Sequence, residues 1–462
     1  MSFLLERFRD NADKIAIIDD GKSYTYGELL KGILDLSSTT LKGIGNKVVA
    51  IIGGYSFYNI ALFLALYENK NIIVPLVECN ETALKESMAD IKISAGILEF
   101  PKLEFPNSKF HKLEFPKLEF PNLEFLETND KKHAIIENLF RQNHAGLVLF
   151  SSGSTGKPKA MIHNLDTLIS IFETKKPRKI NMLLFLLFDH IGGINTLLNI
   201  LATLSTAIIP RQRNSDEICA LIEKYKVSVL PSNPTFLNLI LMSNAHKKYD
   251  LSSLKMITYG TEAMSESLLA RLKATFKKVK FLQTFGTSET GILNTSSKSS
   301  GSTYIKLNDA EYKIVNGELW IKSKTQILGY LNADMSAFEA SFEDGWFKTG
   351  DLVLCDGEYL KIVGRLKELI NIGGKKALPS EIESVIMELE NIADCVVYGE
   401  KNAITGQSVS CDVVLKSDMA KDELKKLIRS ACASKLERYK IPSKINVVEK
   451  IAFTNRFKKV RA

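Results

Sequence analysis

The stretch LVLFSSGSTGKPKA, residues 147–160, decides how the rest of the sequence is interpreted. Its first four residues form an apolar run typical of a buried strand. The residues that follow are rich in glycine, hydroxyl and lysine side chains. Small side chains let backbone N–H groups approach phosphates closely. The pattern therefore predicts a strand followed by a phosphate-binding loop.

The loop does not fit the Walker A pattern, which requires Gly, four residues, and then Gly-Lys followed by Ser or Thr. Counting back from Gly156-Lys157 places Ser151 at the first glycine position. Pro158 follows the lysine and has no hydroxyl for magnesium. A P-loop ATPase is therefore disfavoured, and a surface loop without a ligand stays open as the alternative at this point.

Composition and charge exclude several classes of protein. The chain has 462 residues, of which 45% are hydrophobic and 25% charged, the balance of an ordinary globular protein. Its net charge of +8 is mild for this length and indicates no nucleic-acid partner. No apolar stretch reaches the roughly 18 residues that span a bilayer. The start, MSFLLERFRD, carries charges of both signs and is no signal peptide, so we expect a cytoplasmic protein.

The six cysteines include no Cys-x-x-Cys pair, so neither a zinc site nor a disulfide framework is indicated. Their neighbours are typical of core strands and helices. We therefore expect buried free thiols in a reducing compartment.

Strand–helix–strand units recur through the first part of the chain. NKVVAIIGG (46–54) and NIIVPLV (71–77) fit buried parallel strands, and SFYNIALFLALYENK (56–70) between them has helical periodicity. Short segments within 301–363 predict antiparallel strands, and a smaller unit beyond residue 365 mixes strands and helices. The predicted fold class is α/β, with αβ-layered sheets and a β-rich subdomain in an N-terminal domain, 1–365, and a small α+β C-terminal domain, 366–462.

A repeat interrupts this pattern. Phenylalanine recurs every five residues between positions 100 and 125, a period of neither helix nor strand. Prolines at positions 101, 106, 116 and 121 oppose a long helix or a central strand. We interpret 100–125 as a surface insertion in the N-terminal domain, with an interaction site as the alternative.

Five stretches together carry a family resemblance. They are SSGSTGKPKA (151–160), TFGTSETG (284–291), GELWIKSKTQILGYL (317–331), GWFKTGDLV (345–353) and GRLKELINIGGKKALPSEIE (364–383). In order and spacing they resemble the signatures of the acyl-adenylate-forming, or AMP-dependent synthetase/ligase, superfamily. That superfamily includes acyl-CoA synthetases, adenylation domains of nonribosomal peptide synthetases and firefly-type luciferases. The resemblance covers nearly the whole chain and implies an AMP-forming acid–thiol ligase with a mobile C-terminal domain.

The resemblance also implies roles for the residues of the first two motifs. The loop would bind the β- and γ-phosphates of ATP, with Thr155 also acting in catalysis. Its residues are Ser151, Ser152, Gly153, Ser154, Thr155, Gly156 and Lys157. Phe285 would stack on adenine, and Glu289 would hold Mg²⁺ and act in catalysis. The other residues implied around the nucleotide are Gly260, Thr261, Glu262, Gly286, Thr287 and Ser288. Without the motif, Glu289 would be read as a surface carboxylate.

Further roles follow around the predicted domain boundary. Asp351 would accept hydrogen bonds from both ribose hydroxyls, and Arg365 would add a ribose or phosphate contact. Lys367 would be the hinge between the domains. Gly373 and Gly374 would approach the thiol channel. Without the resemblance, Asp351 would be a turn residue and the two glycines a hairpin turn.

The C-terminal stretch IAFTNRFKKVRA, 451–462, matches less closely. Family members end with something like Pro-x-Thr-x-x-Gly-Lys. Aligning Thr454 makes Lys458 the catalytic lysine, with Lys459 as the alternative. Ala452 then replaces proline and Phe457 replaces glycine. Phe457 takes φ > 0 less readily than glycine, which predicts a reshaped loop and motivates a non-catalytic nucleotide-binding relative as an alternative function.

The acid and the acceptor are less defined by the sequence. The resemblance implies that His190 closes an acyl pocket, whereas Asp189 after Phe188 resembles the ammonium-binding aspartate of amino-acid-activating relatives. The implied cofactors are ATP, Mg²⁺ and CoA. Because the chain ends at the catalytic-lysine region, we expect the thiol in trans, from CoA or from a free-standing acyl carrier protein. A luciferase-like oxidase and a binding scaffold built on the Phe repeat are further alternatives.

Overall fold

The computed structural model describes residues 2–94, 122–126, 132–151, 158–333 and 335–461. Most of the Phe repeat and residues 152–157 of the predicted phosphate loop lie outside these ranges. The chain divides into two compact units. The first comprises Met1–Ile180, Leu186–Ile209 and Thr325–Phe338, and the second Asn181–Phe185, Pro210–Lys324 and Glu339–Ala462.

Seven strands of the described chain form the main sheet of the first unit. In order across the sheet they are Gly329–Tyr330, Ala160–Asn164, Gly146–Phe150, Ile72–Leu76, Val48–Ile52, Ile91–Ser94 and Asn122–Phe125. The four central strands are parallel, and the outer pairings are antiparallel. The two predicted parallel strands are thus confirmed as neighbours, with Val49 opposite Ile73. The predicted helix between them is Phe57–Glu68.

The first unit also holds a smaller strand group and its helices. Ile15–Asp19 pairs in parallel with Thr206–Ile208 and antiparallel with Lys22–Thr25. The Thr25 hydroxyl and the Glu28 carboxylate form a capping box at the start of the second helix. The described helices are Phe3–Arg9, Tyr26–Ser38, Phe57–Glu68, Glu81–Glu86, Ala134–Arg141, Leu165–Ser170 and Ile191–Ala202. A further helix, Met335–Ser341, begins in this unit and ends in the second.

The second unit begins with parallel strands. Asn181–Leu183, Val229–Ser232, Met256–Tyr259 and Lys280–Gln283 are hydrogen-bonded in that order. Asn233, Gly260 and Thr284 follow the carboxyl ends of the last three, the edge where ligands bind in open α/β sheets. Around these strands are the helices Ser215–Tyr225, Pro234–Met242, Ala245–Lys248 and Glu266–Thr275.

An antiparallel sheet follows, as the sequence predicts. Its order is Thr295–Ser297, Ile305–Leu307, Tyr359–Arg365, Trp346–Asp356, Glu318–Lys322 and Glu311–Val315, with Phe342–Glu343 paired to Trp346–Asp356. A two-stranded ribbon, Phe285–Thr287 with Gly291–Leu293, precedes it. The register places Asp351 directly opposite Arg365.

The smaller C-terminal domain has its own sheet and core. The strand order is Lys375–Ala377, Ile370–Ile372, Gly406–Leu415 and Ile392–Asn402, and Lys444–Val447 pairs in parallel with Gly406–Leu415. The helices Pro379–Ile386 and Lys421–Lys435 contribute Ile382, Ile386, Leu424 and Ile428 to one buried cluster. Short 3-10 helices lie at Leu366–Glu368 and Arg438–Lys440. The α/β fold with a large N-terminal and a smaller C-terminal domain is confirmed, while the boundary at 365/366 stays a prediction.

One expectation about the cysteines was wrong. All six are free thiols, but Cys79 and Cys355 are exposed rather than buried. Cys355 lies near the end of a long strand whose inward alternation stops after Val353, so strand position alone does not imply burial. No helix in the described part of the chain is long and apolar enough to cross a membrane.

Candidate active site

An ion pair between a buried carboxylate and a half-buried arginine joins two neighbouring strands of the antiparallel sheet. Arg365 Nε donates to Asp351 Oδ1 at 2.9 Å, and Asp351 is only 4% exposed. The preceding Gly350 has φ +70°, and the Asp351 N–H donates to the Thr349 hydroxyl at 3.0 Å. Burial raises the pKa of Asp351, against the opposing effect of Arg365. The carboxylate in turn raises the pKa of Arg365, so the guanidinium stays charged.

A second carboxylate, Glu262, follows the strand Met256–Tyr259. It accepts hydrogen bonds from the Thr235 hydroxyl at 2.7 Å and the Thr235 N–H at 3.3 Å, at the start of the helix Pro234–Met242. Burial raises the pKa of Glu262, whereas Thr235 and two lysines, Lys459 and Lys458, oppose that rise. Glu262 is therefore a fixed carboxylate at the carboxyl edge of the parallel strands.

The turn before Glu262 requires glycine. A Cβ added to Gly260 would lie 2.7 Å from the Thr284 hydroxyl oxygen. Thr261 has φ +69°, which lies outside the main allowed regions for a β-branched residue. The backbone of this predicted nucleotide-binding turn is thus held in an unusual conformation by its surroundings.

The ribbon containing TFGTSE places Glu289 in a tight turn. Thr287 Oγ1 accepts from the Glu289 N–H at 3.2 Å and the Thr290 N–H at 3.1 Å. A Cβ on Gly286 would lie 2.3 Å from the Gly291 carbonyl oxygen, so only glycine fits this strand pairing. Ser288 and Glu289 are half-buried, and Glu289 is close enough to Arg365 to raise the pKa of that guanidinium.

Phe285, which was predicted to stack on adenine, lies in a buried apolar cluster. The side chain is 8% exposed and belongs to a buried cluster with Leu293, Ile305 and Leu319. Stacking on adenine stays a prediction, and the packing favours a core role for this ring.

The carboxylates of the site suit a magnesium ion that is shared with a phosphate ligand. Among the described residues, no group of three or more His, Cys, Asp or Glu side chains forms a metal cluster. Mg²⁺ commonly takes one or two protein carboxylates together with substrate phosphates. Glu289 is a single half-buried carboxylate, so it could hold Mg²⁺ only together with oxygen atoms from the nucleotide phosphates or from water.

The C-terminal loop keeps the backbone conformation that glycine favours. Phe457 has φ +54°, and its N–H donates to the Thr454 carbonyl at 2.8 Å. The Thr454 N–H donates to the Lys458 carbonyl at 2.9 Å, and an antiparallel bridge pairs Phe453 with Lys459. The replacement of glycine by Phe457 therefore does not prevent a tight, hydrogen-bonded turn before Lys458.

The two candidate lysines have different environments. Lys459 Nζ lies 2.6 Å from Asp394 Oδ1 and 2.7 Å from the Cys395 carbonyl oxygen. Lys458 is half-buried and interacts electrostatically with Glu262, Arg365 and Asp351. Burial, followed by Arg365, lowers the pKa of Lys458. Both lysines interact with Glu262, and Lys458 is the one that also interacts electrostatically with Asp351 and Arg365.

Sequence reasoning missed the partners that fix this tail. Asp394 and Glu383 lie in the C-terminal domain, where Glu383 pairs with Arg461 and accepts from the Val397 N–H at 2.8 Å. Burial raises the pKa of Glu383, but the opposing effects of Arg461 and Lys459 prevail and the net pKa is lowered. The motif that ends at Glu383 gives no sign of these pairings, because Lys459 and Arg461 lie 65 and 78 positions from their partners in sequence.

Gly373 and Gly374 form a hairpin turn, the structure expected of them without the family resemblance. Gly373 and Gly374, with φ +56° and +85°, connect the strands Ile370–Ile372 and Lys375–Ala377. A Cβ on Gly374 would meet no atom within 4 Å. Lys367 is exposed in the 3-10 helix Leu366–Glu368. The thiol-channel and hinge roles stay predictions.

In the first unit, the predicted phosphate loop has a closed base. Ser151 N donates to the Lys159 carbonyl at 3.1 Å, and Lys159 N donates to Ser151 Oγ at 2.9 Å. Lys159 Nζ lies over the Tyr330 ring, 4.4 Å from its centroid, and Asn332 Nδ2 donates to the Pro158 carbonyl. The roles assigned to Ser152, Gly153, Ser154, Thr155, Gly156 and Lys157 lie outside the described residues.

His190 caps a helix in the same unit. Its Nδ1 accepts from the Gly192 N–H at 3.1 Å at the start of Ile191–Ala202. An accepting Nδ1 leaves the proton of the neutral ring on Nε2. Phe188 beside it is fully buried against Tyr55 and Phe63. A cap is a structural role, and closure of an acyl pocket by His190 stays a prediction.

Comparison with known families identifies the class to which this fold and site belong. The family described as AMP-binding enzyme matches residues 4–331, and the AMP-binding enzyme C-terminal domain matches residues 381–458. The chain belongs to the AMP-binding enzyme family.

Individual relatives agree with this assignment. The 2-succinylbenzoate–CoA ligase of Listeria monocytogenes is 26% identical over 484 residues, covering 98% of this chain and 96% of the relative. Acyl-CoA synthetase 7 of Caenorhabditis elegans is 31% identical over 345 residues, covering 68% of this chain and 63% of the relative.

Solved structures show the same fold. An anthranilate CoA ligase in complex with anthranoyl-AMP has a TM-score of 0.81 at 19% identity, covering 99% of this chain and 94% of that one. The o-succinylbenzoate CoA synthetase of Bacillus subtilis, in complex with its acyl-adenylate intermediate, has a TM-score of 0.74 at 20% identity. The match covers 100% of this chain and 97% of the Bacillus subtilis chain. At these identities the likeness concerns the fold alone.

Proposed function

We propose that the protein is an AMP-forming acid–CoA ligase. In the first step a carboxylate oxygen of the acid attacks the α-phosphorus of ATP, the bond to the bridging oxygen breaks, and pyrophosphate leaves. In the second step the thiol of CoA attacks the acyl carbon of the adenylate, AMP leaves with the bonding electron pair, and the thiol proton passes to solvent. Family membership and CoA-ligase relatives that match along almost the whole chain support this activity.

The observation that carries the proposal is the placement of Lys458. Adenylation brings a carboxylate and a phosphate together, so a fixed cation is needed where their charges meet. Lys458 would supply that cation, because it is half-buried and interacts electrostatically with Asp351, Arg365 and Glu262. Lys459 is already engaged by Asp394, which leaves Lys458 as the lysine for the reaction.

The remaining residues bind and orient the nucleotide. Asp351 accepts hydrogen bonds from the ribose hydroxyls, a task for which a buried carboxylate is suited. Arg365 holds Asp351 in place and adds positive charge near the phosphates. Glu289 would hold Mg²⁺, which supplies charge neutralisation to the phosphates when bound. The loop at 151–157 would bind the β- and γ-phosphates.

The altered C-terminal loop no longer favours a non-catalytic relative. That alternative was motivated by Ala452 and Phe457, and by the expectation that Phe457 takes φ > 0 less readily than glycine. Phe457 nevertheless has φ +54°, in the region that glycine favours. We also propose that the protein works in the cytoplasm, because six free thiols without a disulfide suit a reducing compartment.

Acid-dependent ATP–pyrophosphate exchange without thiol is the test. The panel should contain aromatic, fatty, hydroxy and amino acids, beginning with aromatic acids because relatives are named for 2-succinylbenzoate and anthranilate. Exchange with one class establishes adenylation and identifies the acid. Adding CoA or a phosphopantetheinyl carrier protein then shows which thiol releases AMP. ATP binding without exchange on any acid would contradict the proposal.

A further inference from the structure

The turn before Lys458 packs its side chain into an aromatic cluster. The Phe457 ring is 9% exposed and lies with its centroid 5.0 Å from Phe236 and 5.5 Å from Phe185. Phe185 and Phe236 are fully buried and lie 4.3 Å apart. A glycine at position 457 would make none of these ring contacts.

An arginine covers the same cluster. Arg213 Cζ lies 4.9 Å from the centroid of Phe457 and 4.6 Å from that of Phe185. Its Nε donates to the Phe185 carbonyl at 2.8 Å, and its Nη1 donates to the Asn455 carbonyl at 2.7 Å. One guanidinium thus binds the backbone and the ring of the C-terminal turn at the same time.

A further hydrogen bond fixes the turn between these points. Asn233 Nδ2 donates to the Arg456 carbonyl at 2.9 Å, while Asn233 Oδ1 caps the helix Pro234–Met242. Three successive residues of the tail are therefore each contacted by a distant residue. Arg213 binds Asn455, Asn233 binds Arg456, and Phe236 packs on Phe457.

We propose that Phe185, Phe236, Phe457 and Arg213 form an aromatic anchor that positions Lys458 for adenylation. The proposal rests on the proposed function and deepens it, because Phe457 and Arg213 become positioning residues that act through Lys458. Phe457 holds its side chain in the cluster at the cost of a left-handed backbone conformation. The ring contacts and the cation over the ring offset that cost.

The anchor predicts a loss that is specific to the first half-reaction. Phe457→Ala should lower the rate of pyrophosphate exchange about tenfold or more, because Lys458 loses its fixed position. KM for ATP should change much less than kcat, and thioester formation from supplied acyl-adenylate should be spared. Phe125→Ala is the matched control, since that ring is 70% exposed and outside the cluster. Arg213→Ala should show the same pattern with a smaller loss.

The decisive variant is Phe457→Gly. Glycine takes φ > 0 without strain, so this variant improves the backbone while it removes the ring. If the ring contacts position Lys458, Phe457→Gly loses exchange activity as Phe457→Ala does. Wild-type exchange activity in Phe457→Gly would overturn the proposal, because the backbone turn alone would then be sufficient.

Hydrogen–deuterium exchange on the full-length protein separates this proposal from the proposed function. Both Phe457 variants should speed amide exchange across 453–461 at least about tenfold, since the turn opens locally when its anchor is removed. Unchanged protection in both variants would contradict the anchor. Silence of the wild-type protein on every acid would instead count against the ligase activity, while the amide exchange would still decide whether the anchor holds the turn.

Discussion

Replacing each of the two adjacent lysines by methionine should separate stability from catalysis. Methionine keeps much of the chain length and removes the charge. Lys459→Met removes the partner of Asp394, whose side chain is 8% exposed, and leaves the Cys395 carbonyl without that donor. Breaking a buried ion pair in this way costs about 3–5 kcal/mol. Lys459→Met should therefore destabilise the C-terminal domain strongly.

Lys458→Met, in contrast, should not lower the free energy of unfolding. Burial lowers the pKa of Lys458, so its charge is unfavourable in the folded protein. Loss of that charge should leave the free energy of unfolding unchanged or raise it by about 1 kcal/mol. The same substitution should abolish pyrophosphate exchange, because it removes the cation proposed to act where carboxylate and phosphate meet.

Denaturant unfolding and pyrophosphate exchange on the full chain measure both effects. Asp394→Asn in the Lys459→Met background provides the control, since removing the second charge should restore at least about 1 kcal/mol of the lost stability. The assignment of the lysines would be refuted if Lys459→Met abolished exchange at unchanged stability while Lys458→Met retained it.

Three further outcomes follow from the site. Because burial lowers the pKa of Lys458 below its ordinary 10.5, kcat/KM for adenylation should fall as the pH rises through that lowered value. Lys458→Arg should remove this alkaline decline, and its persistence would assign the titration to another group. Asp351→Ala should weaken ATP binding about tenfold or more, since it deletes charge-assisted hydrogen bonds to the ribose; equal affinity in calorimetry would exclude the ribose role. Glu289→Gln should raise the Mg²⁺ concentration needed for half-maximal exchange several-fold, and an unchanged Mg²⁺ titration would remove Glu289 from the metal site.

The sequence predicts the parts of this structure that depend on local patterns. Buried parallel strands such as Val48–Ile52 are continuous apolar runs, and the hairpin Glu311–Val315 with Glu318–Lys322 surrounds a turn at Asn316-Gly317. The positions of Asp351 and Arg365 follow from motifs within the strands. These features can be predicted without knowing which distant residues come into contact.

Contacts between distant segments could not be predicted in the same way. Lys459 meets Asp394 across 65 positions, and Arg213 meets Asn455 across 242. Phe457 was expected to reshape its turn because β-carbon sterics disfavour φ > 0. The aromatic neighbours that stabilise this conformation come from Phe185 and Phe236, which no pattern near residue 457 indicates.

The residues on either side of Lys458 explain how an unfavourable charge is kept in place. Partial burial and the charge of Arg365 lower the pKa of Lys458, so its ammonium form is disfavoured in the free protein. Phe457 and Lys459 supply the stability instead, one through ring contacts and the other through Asp394. Under the proposed function, the neighbours fix the backbone and hold the ammonium group where carboxylate and phosphate meet. Its favourable interaction would then be made mainly in the transition state, where it would raise the rate rather than only tighten the binding of ATP.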